Sequence, residues 1–322
     1  MNKNKTFSRF AALLMLIIIS ALTAGCTEKI IILDPKGPIG KQQLDLMIIS
    51  TLLCLIVIIP VLILTAWIIW RYRKKVNRKA KYTPEWEHST KLEVIWWGVP
   101  ILIIIVLAVV TVRSTYSLEP SKALVSDKKP ITIQVASLDW KWLFMYPEQG
   151  IATVNYVQFP KDTPIRFELT ADAPMNSFWI PQLGGQMYTM SGMNMALYLQ
   201  SDETGEYFGS GANFSGREFG SMRFMAKAAT QEEFDTWFQD VKNSKQALTL
   251  DGYRALAKPG VTDTMSYSSF PEKLFERIVT TYATSHNHGL SKKVTESEDT
   301  KANMKMDMDM DMKQDHMQHS GH

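Results

Sequence analysis

Few residue types in this chain can carry out chemistry, and their positions narrow the options early. Two of 322 residues are cysteine, Cys26 and Cys54, and six are histidine, at 88, 286, 288, 316, 319 and 322. Between Arg113 and Ser285 there is neither. That stretch therefore has no thiolate and no imidazole to ligate a transition metal, and no disulfide framework. Cys54 sits inside an apolar run and reads as a small packing residue, and His88 reads as a solvated surface residue. His316, Met317, His319 and His322, with Met304–Met312, carry thioethers and imidazoles suited to Cu(I). A low-complexity tail with no structural role accounts for them equally well. Glu93 stands one residue before a second apolar run. An acid there stabilises a helix start by about 0.3–1 kcal/mol, and ionisable groups at a membrane boundary are often functional.

The elements that position these residues are set by two long apolar runs. Leu46–Trp70 is uncharged over 25 residues and Val94–Val112 over 19. Each is long enough to cross a hydrocarbon core of ~30 Å as a helix. The connecting segment 71–93 carries eight Lys/Arg against three Glu, which keeps a short loop in the cytoplasm. Trp67, Trp70, Tyr72, Trp96 and Trp97 lie at the same ends of both runs, where aromatic rings favour the interface. Residues 46–112 thus read as a transmembrane hairpin with both flanks outside. The formal net charge is only +3, and membrane orientation explains the basic cluster, so no nucleic-acid partner is implied.

Residues 1–25 have the form of a signal peptide: Lys3, Lys5 and Arg9, then the apolar run Phe10–Ile19, then small residues. Leu22-Thr23-Ala24-Gly25-Cys26 resembles a bacterial lipoprotein cleavage site, which marks Cys26 for lipidation and residues 26–45 as an external N-terminal segment. After the hairpin, residues 113–229 show short alternating runs punctuated by Gly, Pro, Asn and Asp, the pattern of an antiparallel sandwich or barrel. Predicted strands include Ile131–Val135, Thr153–Phe159, Pro164–Thr170, Ser177–Ile180, Met195–Gln200, Glu206–Phe208 and Ser221–Ala226. Trp140, Trp142, Phe144 and Tyr146 recur at period two and predict a packed aromatic strand face; with no acceptor in the region, an electron relay is the poorer account. Residues 230–285 predict short helices over Gln231–Val241, Thr249–Ala257 and Pro271–Thr284, the first opened by a Thr230/Glu233 capping box. Residues 286–322 read as a disordered Met/Asp/His-rich tail.

Several phrases together resemble subunit II of the haem–copper terminal oxidases. They are Lys91-Leu92-Glu93-Val94-Ile95-Trp96-Trp97 with Pro100, Asp139-Trp140-Lys141-Trp142, Tyr146–Gly150, Asn176–Pro181 and Gly211–Met222. The resemblance implies a two-helix transmembrane hairpin, an all-β cupredoxin-like sandwich and short C-terminal helices. Family members that oxidise cytochrome c hold two coppers through a His before Ser-(Phe/Trp) and a later Cys-x-Glu-x-Cys-x-x-x-His-x-x-Met. Those positions fall here on Asn176, Gly211, Asn213, Ser215, Phe219 and Met222, so only the weak Met ligand is kept. This pattern resembles the quinol-oxidising branch, as do Leu33–Gly37, Leu118–Lys122 and Pro147–Asn155.

The resemblance implies a non-catalytic subunit of a proton-pumping ubiquinol oxidase in a bacterial inner membrane, with no cofactor on this chain. Haems, a copper and the quinol site belong to the large partner subunit, with further membrane subunits beside it. By the same resemblance, the acid at Glu93 would mark the entrance to one proton channel of the large subunit and carry protons there. A rival reading is a freestanding lipoprotein that handles periplasmic copper through its tail. Two tryptophan-flanked spans favour packing against a larger membrane partner instead.

Overall fold

The computed structural model describes residues 30–73, 85 and 87–282. The segment expected to be a signal peptide, Cys26, most of the basic loop and the Met/Asp/His-rich tail lie outside these residues. Two long helices come first, α1 (Pro38–Tyr72) and α2 (Thr90–Ser117). Both exceed the apolar runs that predict them. Pro38 opens α1 at a position where its missing N–H costs nothing, and the polar turn Lys41–Gln43 continues the helix outward. At 1.5 Å per residue the 35 residues of α1 span about 50 Å, so the helix projects well beyond a hydrocarbon core. Pro60 and Pro100 lie inside continuous helix.

Beyond the hairpin lie strands β1 (Ile131–Leu138), β2 (Lys141–Tyr146), β3 (Ile151–Val154), β4 (Tyr156–Pro160), β5 (Ile165–Ala171) and β6 (Asn176–Trp179). β7 (Met187–Thr189), β8 (Met195–Leu199), β9 (Gly205–Gly211), β10 (Arg223–Ala229) and β11 (Met265–Tyr267) follow. They form two sheets, ordered β11-β3-β2-β1-β5-β8 and β4-β10-β9-β6-β7. The result is the cupredoxin-like sandwich implied above, although β1 runs parallel to β5 and β4 parallel to β10, so the sheets are mixed rather than antiparallel. Helices α3 (Gln231–Lys242) and α4 (Leu250–Leu256) come next, and residues 274–282 form α5.

Two departures from the predicted elements have local causes. The single strand expected over Thr153–Phe159 is broken at Asn155, whose φ of 55° lies in the left-handed region that Asn tolerates. Its side chain fills the break, accepting from Trp142 N at 2.9 Å and donating to Thr262 O at 2.8 Å. β3 and β4 consequently enter different sheets. The helix expected from Pro271 begins at residue 274, because Lys273 has φ 57° and cannot continue a right-handed helix. The Thr230/Glu233 capping box forms as predicted.

β2 is buried on both faces. Trp142, Phe144 and Tyr146 point into the space between the sheets, where Phe178 stacks on Phe224 at 5.0 Å and meets Trp142 edge-on at 5.4 Å. Leu143 and Met145 point the other way and pack with Tyr253, Tyr267, Phe275 and Ile278. The C-terminal segment is therefore a third layer over the first sheet. Trp140, placed on the same strand face by its spacing, lies instead in the β1–β2 turn with φ 62° and only partly packs on the core.

The hairpin joins the sandwich through Asp34–Gly40. Lys36 N donates to Gln182 O at 2.8 Å, Gly40 N to Leu183 O at 3.1 Å, and Asp202 N to Lys36 O at 2.8 Å. Lys36 and Lys41 pair with Glu203 and Asp202 at 2.9 and 2.7 Å. A Cβ on Gly37 would sit 2.1 Å from Gln200 O, so only glycine permits this approach.

Candidate functional site

Sheet pairing gathers most of the residues that the resemblance sets at copper-ligand positions. β6 pairs with β9, placing Phe178 opposite Gly211, and β9 pairs with β10, placing Ser210 opposite Arg223. Asn176 at the head of β6, Gly211 at the end of β9 and Met222 just before β10 therefore converge. Asn176 is 1% exposed. Its Nδ2 donates to Ser215 Oγ at 3.0 Å and lies 2.7 Å from Met222 Sδ, while Oδ1 accepts from Ser177 N at 2.9 Å. Gly211 N donates to Met222 O at 3.0 Å. A Cβ at Gly211 would lie 2.7 Å from Asn176 Oδ1, so the amide occupies the space a side chain there would need.

Asn213 and Phe219 turn elsewhere. Asn213 Nδ2 donates to Met175 O at 3.3 Å, and the Phe219 ring packs edge-on against Phe214, itself 78% exposed, at 5.8 Å. The loop is held from below by Trp140, whose Nε1 donates to Ser215 O at 3.2 Å. Gly216, at φ 115°, passes over the Trp140 ring. Period-two spacing gave no hint of this role; the signal available was Trp140 beside a turn-forming Asp139.

Asn176, Gly211, Ser215 and Met222 form a neutral, mutually bonded knot. One thioether, one hydroxyl and one amide do not fit a dinuclear copper centre, which needs bridging thiolates and imidazoles. The amide that would have to yield is already bonded on both its atoms.

The second candidate, Glu93, lies in the first turn of α2 at the far end of the hairpin. Its carboxylate is 54% exposed and lies 3.5 Å from His88 Nδ1. Its backbone N–H donates to Ser89 O at 3.0 Å. The acid thus stands at the helix start and open to the surroundings, consistent with either role set out for it.

A polar cluster absent from the sequence reading holds the third layer in place. Tyr253 and Tyr282 both donate to Asp172, the latter at 2.5 Å. The hydrogen bond to Asp172, then burial, pushes the Tyr282 phenol up to about 12. Burial, then Asp172, raises Tyr253 as well. Beside them, Lys141 donates to Lys258 O at 2.7 Å, and burial lowers its pKa.

Comparison with known proteins agrees with this architecture. Residues 34–113 match the family model "Cytochrome C oxidase subunit II, transmembrane domain", and residues 242–286 match the "COX Aromatic Rich Motif". The first match ends with the hairpin; the second covers the layer that carries Tyr253, Tyr267, Phe275 and Tyr282. The cytochrome bo(3) ubiquinol oxidase subunit 2 of Pseudomonas putida is 50% identical over 262 residues, covering 81% of this chain and 82% of that protein. The ubiquinol oxidase subunit 2 of Acetobacter aceti is 44% identical, covering 87% of this chain and 91% of its own. The quinol oxidase subunit 2 of Bacillus anthracis is 45% identical, covering 84% and 92%. Among solved structures, the periplasmic domain of subunit II of cytochrome oxidase from Bradyrhizobium japonicum is 18% identical with a TM-score of 0.35, covering 37% of this chain and 96% of that one. On the strength of the full-length relatives, the chain belongs to the subunit II family of the haem–copper terminal oxidases, in its quinol-oxidising branch.

Proposed function

We propose that this chain is the metal-free second subunit of a proton-pumping ubiquinol:oxygen oxidoreductase in a bacterial inner membrane. In this reading it is a lipoprotein anchored also at Cys26, with its sandwich in the periplasm. The observation that carries the reading is the neutral Asn176–Ser215–Met222 knot at the positions of the copper ligands. Electrons then have no station on this chain. They pass from ubiquinol within the large partner subunit, which holds the haems and copper, and this chain assembles with it and shapes its outer face. The test is metal analysis of the purified subunit lacking the tail from residue 286. No stoichiometric copper and no thiolate–copper absorption bands are expected; tight binding of two coppers would overturn the reading.

Glu93 is the chain's own contribution to proton uptake. A carboxylate at the cytoplasmic end of a span collects protons and passes them to a polar path in the partner. Glu93→Ala is expected to slow oxygen reduction several-fold with normal assembly and haem content, and Glu93→Asp to retain more activity. Unchanged turnover in fully assembled Glu93→Ala enzyme would leave Glu93 as a helix-start acid.

A further inference from the structure

Where the hairpin meets the sandwich, two adjoining hollows serve neither the knot nor Glu93. The first, about 360 Å³, lies between the N-terminal turns of α1, the linker leaving α2, and the sandwich edge at Gly185 and Tyr198. Its walls carry Gln42 and Gln43 from α1, Glu119 and Lys122 from the linker, and Tyr198 from the sandwich. The second, about 440 Å³, runs between the helices past Leu46, Ser50, Val110 and Thr111. Leu118 and Pro120 line both, so the two share a wall.

Their chemistry differs with depth. In the lower hollow the hydroxyls of Ser114 and Thr115 are bonded back to Val110 O at 2.7 Å and Thr111 O at 2.9 Å, which satisfies them within the helix. Leu46 begins the uncharged run, and Gln42 precedes it by about one turn, roughly 6 Å of rise. The lower hollow thus lies at the edge of the hydrocarbon and the upper one at headgroup level. In the upper hollow a tight turn, Lys122 N donating to Glu119 O at 3.0 Å, brings an acidic and a basic residue to one wall, the Glu119 carboxylate accepting from Ser121 Oγ at 2.8 Å. Among the described residues neither side chain is in an ion pair.

We infer that these two hollows form a binding site for one zwitterionic aminophospholipid from the leaflet on the sandwich side. Lys122 and the Gln42 and Gln43 amides take the phosphate, Glu119 takes the primary ammonium, and an acyl chain fills the groove between α1 and α2. A helix from another subunit would have to bury the same charges and amides against apolar side chains, which is costly unless each is paired. A lipid supplies a charged head and an apolar tail in the order in which the walls present them. Bound there, it fastens both helices to the sandwich.

The test uses the full chain in its purified complex, delipidated by detergent exchange and titrated with phosphatidylethanolamine, phosphatidylglycerol or soluble O-phosphoethanolamine under native mass spectrometry. One phosphatidylethanolamine is expected to bind in preference to phosphatidylglycerol, with O-phosphoethanolamine a poor competitor. Glu119→Gln and Lys122→Gln should each weaken binding about tenfold, the loss of one charge-assisted contact. Ala123→Trp, at an exposed position lining the upper hollow, and Ser50→Phe, in the groove, fill the space without touching the core and should abolish retention. Retention unchanged in both filling variants, or competition by O-phosphoethanolamine equal to that of the lipid, would overturn the proposal. So would a photo-cross-link from position 123 that captures a neighbouring subunit instead of lipid.

Discussion

The sandwich and the hairpin dispose of their apolar residues in opposite ways. In the sandwich, Trp142, Phe144, Phe167 and Phe178 have no exposed surface and interlock between two sheets. In the hairpin, Ile63, Ile69, Trp70 and Trp97 are each exposed by 60% or more, and neither span is buried within the chain. Aromatic and branched residues are plentiful in both regions, so composition does not separate them. The difference is what supplies the packing partner: the chain itself in the sandwich, and lipid or a neighbouring subunit around the hairpin. The joint at Lys36–Lys41 has to hold a self-sufficient body to an incomplete one, which explains its density of backbone hydrogen bonds and ion pairs.

The contrast is broken most directly by equivalent truncations in the two regions. Phe178→Ala removes the ring at the centre of the aromatic cluster and is expected to cost about 3–5 kcal/mol in denaturant unfolding of the complex. Ile63→Ala should change stability by no more than about 0.5 kcal/mol if that face meets lipid. A loss at Ile63 comparable to that at Phe178 would place it against a partner subunit. An effect smaller than that of Phe178→Ala is expected at the joint. Gly37→Val forces a side chain into Gln200 O, a backbone atom that no rotamer change can move, at a cost of about 1–3 kcal/mol. Limited proteolysis should then cut between the hairpin and the sandwich while the sandwich itself stays intact; an uncut joint would show that its ion pairs suffice.

The smallest expected effect concerns the third layer. Tyr282 bonded to Asp172 titrates at about 12, above the ordinary tyrosine value of about 10. Because the folded value is the higher one, the contribution of this contact is intact below pH ~10 and is lost as pH rises toward 12. Protection against hydrogen exchange over residues 274–282, taken relative to the intrinsic exchange rate at each pH, should fall across that window before the sandwich loosens. Tyr282→Phe should remove the pH dependence there, and a Tyr282→Phe protein that still loosened at the same pH would assign the effect to Tyr253.

The hairpin was legible in the sequence because its signal is local. An uncharged run of 25 residues, a basic loop and flanking tryptophans need no distant partner to be read. The capping box at Thr230 was legible for the same reason. The substitutions at Asn176, Gly211, Asn213, Ser215, Phe219 and Met222 could also be read, because absence of Cys and His is a matter of residue type alone. Sequence did not reveal that four of these six close into a knot under Trp140 while Asn213 and Phe219 face away. That outcome depends on β6, β9 and β10 being neighbours in one sheet, although Asn176 and Met222 are 46 positions apart. Nor did it reveal the break at Asn155, where one left-handed residue sends two halves of an apparent strand into different sheets. The Tyr253–Asp172–Tyr282 clamp spans 81 and 110 positions. Residue types and short-range spacing determined the two membrane-length apolar spans and the absence of Cys and His between Arg113 and Ser285. Which side chains meet was decided by long-range pairing and burial, since those energies exist only after the sheets have assembled.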